Sequence, residues 1–170
     1  MTHPTPDPIG PGQESVWSYP RPPRVEPVHA EIKVFLGGVC IAWTKNAHRV
    51  LETSHPPVYF LPAEDVDASK VSASEHRPSF CEFKGIAHYL DMHVKTHERE
   101  VSAPAAAFTY ANPTEAFAAI AGHISFYAGA MDACTINGVV VTPQPGGFYS
   151  GWITPEIVGP FKGYSGTEGW

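Results

Sequence analysis

The chain has 170 residues, a net charge of −6 and no cluster of Lys or Arg. That length suits one domain with one core, and the charge argues against nucleic acid or an anionic membrane as a partner, since both need a basic footprint. Only 16% of residues are charged and 18 are proline, about twice the usual ~5% share, which favours ordered loop and short strand over long helix.

Residues 1–13 are rich in Pro and Gly and read as a mobile arm ahead of a single globular domain over 14–170. They lack the basic and apolar regions of a secretory signal, and no apolar run approaches the ~18 residues of a membrane span. Residues 16–27, VWSYPRPPRVEP, carry Trp17 and Tyr19 as anchors, and PRPPR favours polyproline II. This segment is expected to drape over the core. EIKVFL (31–36), Gly37-Gly38 and VCIAW give the firmest hairpin signal in the chain. TKNAHRVLE (44–52) reads as a short turn or helical bend, VYFLP (58–62) as a strand, and 63–71 as a helical turn with Val66 plugged inward. In FCEFKGIAHYLDMHV (80–94) a turn at Lys84-Gly85 leads into a strand. Ile86, His88, Leu90, Met92 and Val94 lie on one face, with Ala87, Tyr89, Asp91 and His93 on the other.

AAAFTY (105–110) reads as a strand. Asn112 or Thr114 as cap, Pro113, and Glu115 in the first turn predict a helix near 113–122, followed by a strand at HISFY. CTINGVVVTP (134–143) predicts a hairpin around Asn137-Gly138. The tail from 143 is rich in Gly, Pro and aromatics. Together these predict a mainly β fold with some α (α+β class): a compact antiparallel sheet, one main helix and Pro/Gly-rich ordered arms.

Cys40, Cys81 and Cys134 are widely spaced and form no C-x-x-C pair. Reduced thiols in a cytoplasmic protein are expected, and neither a disulfide framework nor a zinc or other metal site. No phosphate loop or dinucleotide fingerprint is present, so no cofactor is expected.

Residues 49–62, RVLETSHPPVYFLP, carry the densest chemistry. Glu52 lies three residues before His55 and can orient its imidazole and raise its basicity. Pro56-Pro57 stiffens the corner that follows. Arg49 is a candidate for two-pronged binding of a ligand carboxylate or phosphate; its alternative is a salt bridge to Glu52. Cys81 and Lys84 place a thiol and an ammonium on one turn, a possible nucleophile pair. Tyr59 and Tyr89 are candidate ligand-binding walls, with core packing as the alternative.

Several segments together resemble one family: ESVWSYPRPPR (14–24), RVLETSHPPVYFLPAEDV (49–66), CEFKGIAHY (81–89), NPTEAFAAIAGHISFY (112–127) and PQPGGFYSGWITPEIVGPFKG (143–163). The family is the uncharacterised domain of unknown function 427. The resemblance implies a compact β-rich domain of the β-tent or SH3-like sort and no established reaction. The family has carried a nucleotidyltransferase label, but this chain offers only Asp65 and Asp67 on a polar turn toward the carboxylates and phosphate cradle that such chemistry needs.

The expected function is binding of a small molecule. The leading form is a metal-independent acid–base enzyme acting on an anionic or polar organic substrate, with Glu52, His55, Cys81 and Lys84 as catalytic candidates and Arg49, Tyr59 and Tyr89 as ligand-binding candidates. The alternative is a non-catalytic ligand-binding or protein-interaction module, monomeric or homodimeric.

Overall fold

Four turn residues with positive φ frame the first sheet. Gly37 and Gly38 (φ 60° and 77°) and Asn137 and Gly138 (φ 49° and 79°) close its two hairpins, the geometry that favours Gly and Asn at these positions. The structure, a computed structural model, describes residues 3–170. The sheet runs Val139–Val140, Ala133–Ile136, Ile32–Leu36, Val39–Thr44, all antiparallel. Its inner face buries Ile32, Val34, Leu36, Ile41, Cys134 and Ile136, the period-two pattern of a half-buried sheet.

A second sheet runs Arg24–Val28, Ala47–Leu51, Val58–Phe60. Residues 44–52 are therefore not a turn or helical bend: they contain the central strand of this sheet. Ala47, Val50 and Leu51 are all buried, yet each enters a different apolar cluster, so the strand shows no clean alternation. Arg24–Val28 accommodates Pro27 because it is an edge strand.

The third sheet holds Ile124–Phe126, Glu100–Thr109, Gly85–Lys95 and Val71–Ala73, with Ser79–Cys81 paired to the start of Gly85–Lys95. The long strand Gly85–Lys95 buries one face at its start, through Ala87, and the other at its end, through Met92 and Val94. Alternation holds along it, but the strand passes from one apolar cluster to the next. Opposite Asp91 the partner strand loses register between Ala103 and Ala107. Ala105 sits there at φ 48°, and its N–H donates to Asp91 Oδ1 at 2.7 Å.

The helix expected over 113–122 does not form. Glu115–Ile120 is a 3₁₀ segment interrupted at Phe117 (φ −113°, ψ 18°). Thr114 does not cap it with its side chain. Instead its Oγ1 donates to the Phe83 carbonyl at 2.6 Å and its N–H to the Lys84 carbonyl at 3.0 Å. Its capping group is engaged by another turn, and the helix start is lost. All five helical segments among the described residues are 3₁₀, so the fold is mainly β.

In the arm, His3 packs on Trp17, and the Asp7 N–H donates to the Gly159 carbonyl at 3.0 Å. Residues 1 and 2 lie outside the described residues. Glu14–Ser15 pairs in parallel with Ile157–Val158, and Val16, Tyr19, Leu51 and Ile157 form a small cluster beneath. Trp17 is half-buried and donates its Nε1–H to the Pro160 carbonyl at 2.9 Å. No described helix is long and apolar enough to cross a membrane.

Candidate functional site

The Pro corner is clamped from both sides. Ser54 adopts φ 73°, a left-handed conformation that costs a residue with a Cβ about 1–2 kcal/mol. Its N–H donates to the Val16 carbonyl, and its own carbonyl accepts from the Lys162 N–H. The His55 N–H donates to the Glu52 carbonyl at 3.0 Å, and the Trp152 N–H to the Pro57 carbonyl at 2.8 Å. A Cβ on Gly151 would lie 2.6 Å from both the Pro56 carbonyl oxygen and Gln144 Oε1. Only glycine fits this crossing.

A cavity of about 350 Å³ opens beside this corner. Glu52, His55, Cys81, Lys84 and Tyr89 all line it. Two entry turns bring them together: the corner at 52–57 and the turn at 82–84. Gly85 holds φ 107°, and Thr114 pins the carbonyls of Phe83 and Lys84, so the Lys84 turn is fixed relative to the cavity wall.

Arg49 and Tyr59 do not reach the cavity. They are register partners and share a strand face, while Val50 and Val58, one residue along, line the cavity. Arg49 donates to Glu26 Oε1 at 2.6 Å and Glu14 Oε1 at 2.8 Å. Its carboxylate partners are therefore not Glu52. Tyr59 stacks on Trp152 in the main core, with ring centroids 5.0 Å apart.

His55 is 7% exposed. Its Nδ1 accepts from Gln144 Nε2 at 3.0 Å. The same amide nitrogen donates to the Lys162 carbonyl at 2.9 Å, and Gln144 Oε1 accepts the Gly151 N–H at 3.0 Å. These bonds fix which end of the Gln144 amide is the donor, and through it the histidine tautomer: Nδ1 is unprotonated and the proton is on Nε2. Nε2 faces Glu52 Oε2 at 3.5 Å, longer than a hydrogen bond. Burial, reinforced by the cations Lys162, Arg21 and Lys84, holds the imidazole pKa down to about 3.

Glu52 Oε2 also accepts from Arg21 at 3.2 Å. Both neighbours address Oε2, and Oε1 has no protein partner among the described residues. Lys84 lies over the Tyr110 ring, its Nζ 5.8 Å from the centroid, and is paired with no carboxylate among the described residues. Lys162 donates to the Trp170 carbonyl at 3.2 Å and sits over Tyr149.

Tyr110 and Tyr127 also line the cavity. Burial raises both phenol pKa values well above the usual tyrosine value, so both stay protonated. Tyr127 donates to the Phe148 carbonyl at 3.0 Å. Tyr110 is 5% exposed, and its hydroxyl has no protein partner among the described residues. Among the described residues the cavity therefore presents the unpaired Lys84 ammonium, the free Tyr110 O–H, Glu52 Oε1 and the exposed Glu82 carboxylate.

All three cysteines are free. Burial pushes the Cys134 thiol up to about 12, which makes it an inert core group. Cys81 alone of the three lines the cavity. Among the described residues no three His, Cys, Asp or Glu side chains gather in a group that could hold a metal ion.

A family model for a domain of unknown function, DUF427, matches residues 24–137. The chain belongs to the DUF427 family. The matched DUF427 region contains Glu52, His55, Cys81, Lys84, Tyr89, Tyr110 and Tyr127. Tyr149, Ser150 and Lys162, which complete the cavity, and Gln144, which bonds His55, lie beyond it. No curated protein matches the chain. Sequence reasoning missed Tyr110, Tyr127, Gln144 and Lys162. The two tyrosines end apolar strand segments, where a core role is the commoner one. Gln144 carries no local signal: its role comes from three segments that meet only in the fold.

Proposed function

We propose that the cavity binds a small anionic or polar organic molecule, and that Glu52 exchanges a proton with it. The observation that carries this reading is the pairing of free groups: Glu52 Oε1 on one side, the Lys84 ammonium and the Tyr110 O–H on the other. A ligand anion or carbonyl oxygen sits against the two donors. A ligand C–H on the carbon next to that carbonyl or carboxylate faces Glu52 Oε1. The proton passes to Glu52, and the electron pair moves onto the oxygen held by Lys84 and Tyr110, the standard use of preorganised donors. His55 is a positioning residue here. Its neutral ring lies 3.5 Å from Glu52 Oε2, beside the oxygen that Arg21 bonds. Cys81 lines the same wall as a candidate second group. The volume suits a small ligand, and the free thiols fit a cytoplasmic setting. The layered antiparallel sheets fit an architecture of the β-tent sort.

The test is a thermal-shift screen of small organic acids and their neutral analogues against wild type, Lys84→Met and Glu52→Gln. Acid-selective stabilisation of wild type, lost in Lys84→Met, is expected. Glu52→Gln should keep binding and lose deuterium uptake from heavy water into the bound acid, read by NMR. Binding without any exchange in wild type would make the site a non-catalytic module. No acid-selective shift in wild type would overturn the reading.

A further inference from the structure

A second cavity, about 520 Å³, adjoins the first. Tyr89, Tyr127, Phe148, Tyr149 and Ser150 line both and form the partition between them. The two differ in chemistry. The second has no Asp, Glu, Lys or Arg in its lining, and much of its wall is small and apolar: Pro104, Ala106, Ala128, Gly129, Ala130 and Pro143. Of its polar lining groups, Gln144 has its amide engaged by His55, Lys162 and Gly151. His76 packs its ring on Tyr89 with centroids 4.4 Å apart and bonds the Arg77 carbonyl.

A chamber without carboxylates, lysines or arginines in its lining favours hydrocarbon, and the charged chamber beside it favours an anion. The partition is thin. Phe148 is 65% exposed, it follows Gly146 and Gly147 at positive φ, and the Tyr127 hydroxyl holds its carbonyl. We propose that the two cavities take one ligand, an amphipathic carboxylate. Its head sits against Lys84 and Tyr110, and its alkyl or aryl tail crosses the Tyr89–Tyr127 partition into the second chamber. A carboxylate fits better than a phosphate. Two lysines line these walls, but Lys162 already donates to the Trp170 carbonyl, so Lys84 is left to match one negative charge, and a dianion adds repulsion from Glu52 and Glu82 on the same walls. This inference rests on the ligand-binding reading of the first cavity.

The experiment is isothermal titration of straight-chain carboxylates from butanoate to decanoate, with the matching 1-alkanols as headless controls. Affinity is expected to rise about fourfold per added methylene, the usual value of burying one, and to keep rising beyond hexanoate. Lys84→Met should weaken every acid at least tenfold and leave the alkanols unchanged. Ala130→Trp and Gly129→Leu, at exposed positions lining the second chamber, should cut decanoate binding to the level of hexanoate and spare butanoate. Lys84-dependent binding that is flat in chain length would overturn the two-chamber proposal and leave the first-cavity reading standing. Alkanols binding as tightly as the acids would overturn the carboxylate head. No binding of any acid would overturn this proposal, and the broader screen then judges the first-cavity reading by itself.

Discussion

At the scale of single residues, burial keeps His55 neutral, reinforced by the cations Lys162, Arg21 and Lys84, and Gln144 fixes which ring nitrogen carries the proton. Protonating Nδ1 would set an N–H against the Gln144 N–H₂, and turning the amide would break its bonds to Gly151 and Lys162. The folded protein therefore keeps His55 neutral down to about pH 3, while the unfolded chain takes up a proton near pH 6.5. Below pH 6.5 the unfolded state binds more protons, so stability present above that pH is lost as pH falls toward 3. The slope from this group is at most about 1.4 kcal/mol per pH unit. Urea titrations at pH 7 and pH 5 should show wild type losing up to about 2 kcal/mol more than His55→Gln over that interval. Equal losses in the two proteins would show that His55 is protonated in the folded state. Gly151 is the second residue of this kind. Gly151→Ala forces a Cβ against the Pro56 carbonyl and Gln144, and should cost about 1–3 kcal/mol in the manner of an overpacked core, seen as a lowered melting temperature.

Elements were legible where their signal is local. Gly37-Gly38 and Asn137-Gly138 encode their own backbone geometry, so both hairpins could be read from four residues. Ala47–Leu51 could not, because its buried residues face three different clusters and its pattern has no period. The expected helix failed because Thr114 is engaged by the Lys84 turn, a contact 30 residues away in sequence. For the site, the corner at 52–57 and the turn before Gly85 were readable as two entry turns, and they do open on one cavity. Arg49 and Tyr59 fall on the other side of their strands by simple alternation relative to Val50 and Val58. Arg49→Met should therefore cost about 1.5–3 kcal/mol, the scale of hydrogen bonds to charged groups, because Arg49 is largely buried between Glu14 and Glu26, and should leave acid binding unchanged in titration. A matching loss of binding would place Arg49 at the site after all. Gly85→Ala should do the reverse. A side chain at φ 107° strains the turn by about 1–2 kcal/mol and displaces Lys84, so acid affinity should fall along with stability.

Over the whole molecule, the two ends of the described chain hold each other. Val16 and Tyr19 are buried against Leu51 and Ile157, and the Val16 carbonyl holds the left-handed Ser54. Removing residues 1–9 deletes, among the described residues, the Asp7–Gly159 backbone bond and the His3–Trp17 contact and should change stability by about 1 kcal/mol or less. Removing residues 1–19 strips that cluster and frees the Pro corner. Loss of a cooperative urea transition is expected for the longer deletion only; cooperative unfolding of both would show that the cluster is dispensable.

Gln144 joins residues 55, 151 and 162 through one side-chain amide, and Ser54 meets both Val16 and Lys162. No partly folded form can assemble this arrangement, because its parts come from both ends of the chain. A ligand of the proposed site would therefore bind only the completely folded chain. A ligand present at a hundred times its Kd would add about 2.7 kcal/mol to global stability. In a cell, where the unfolded fraction is removed continuously, that is enough to change abundance several-fold. The amount of this protein would then rise and fall with the supply of the molecule it binds.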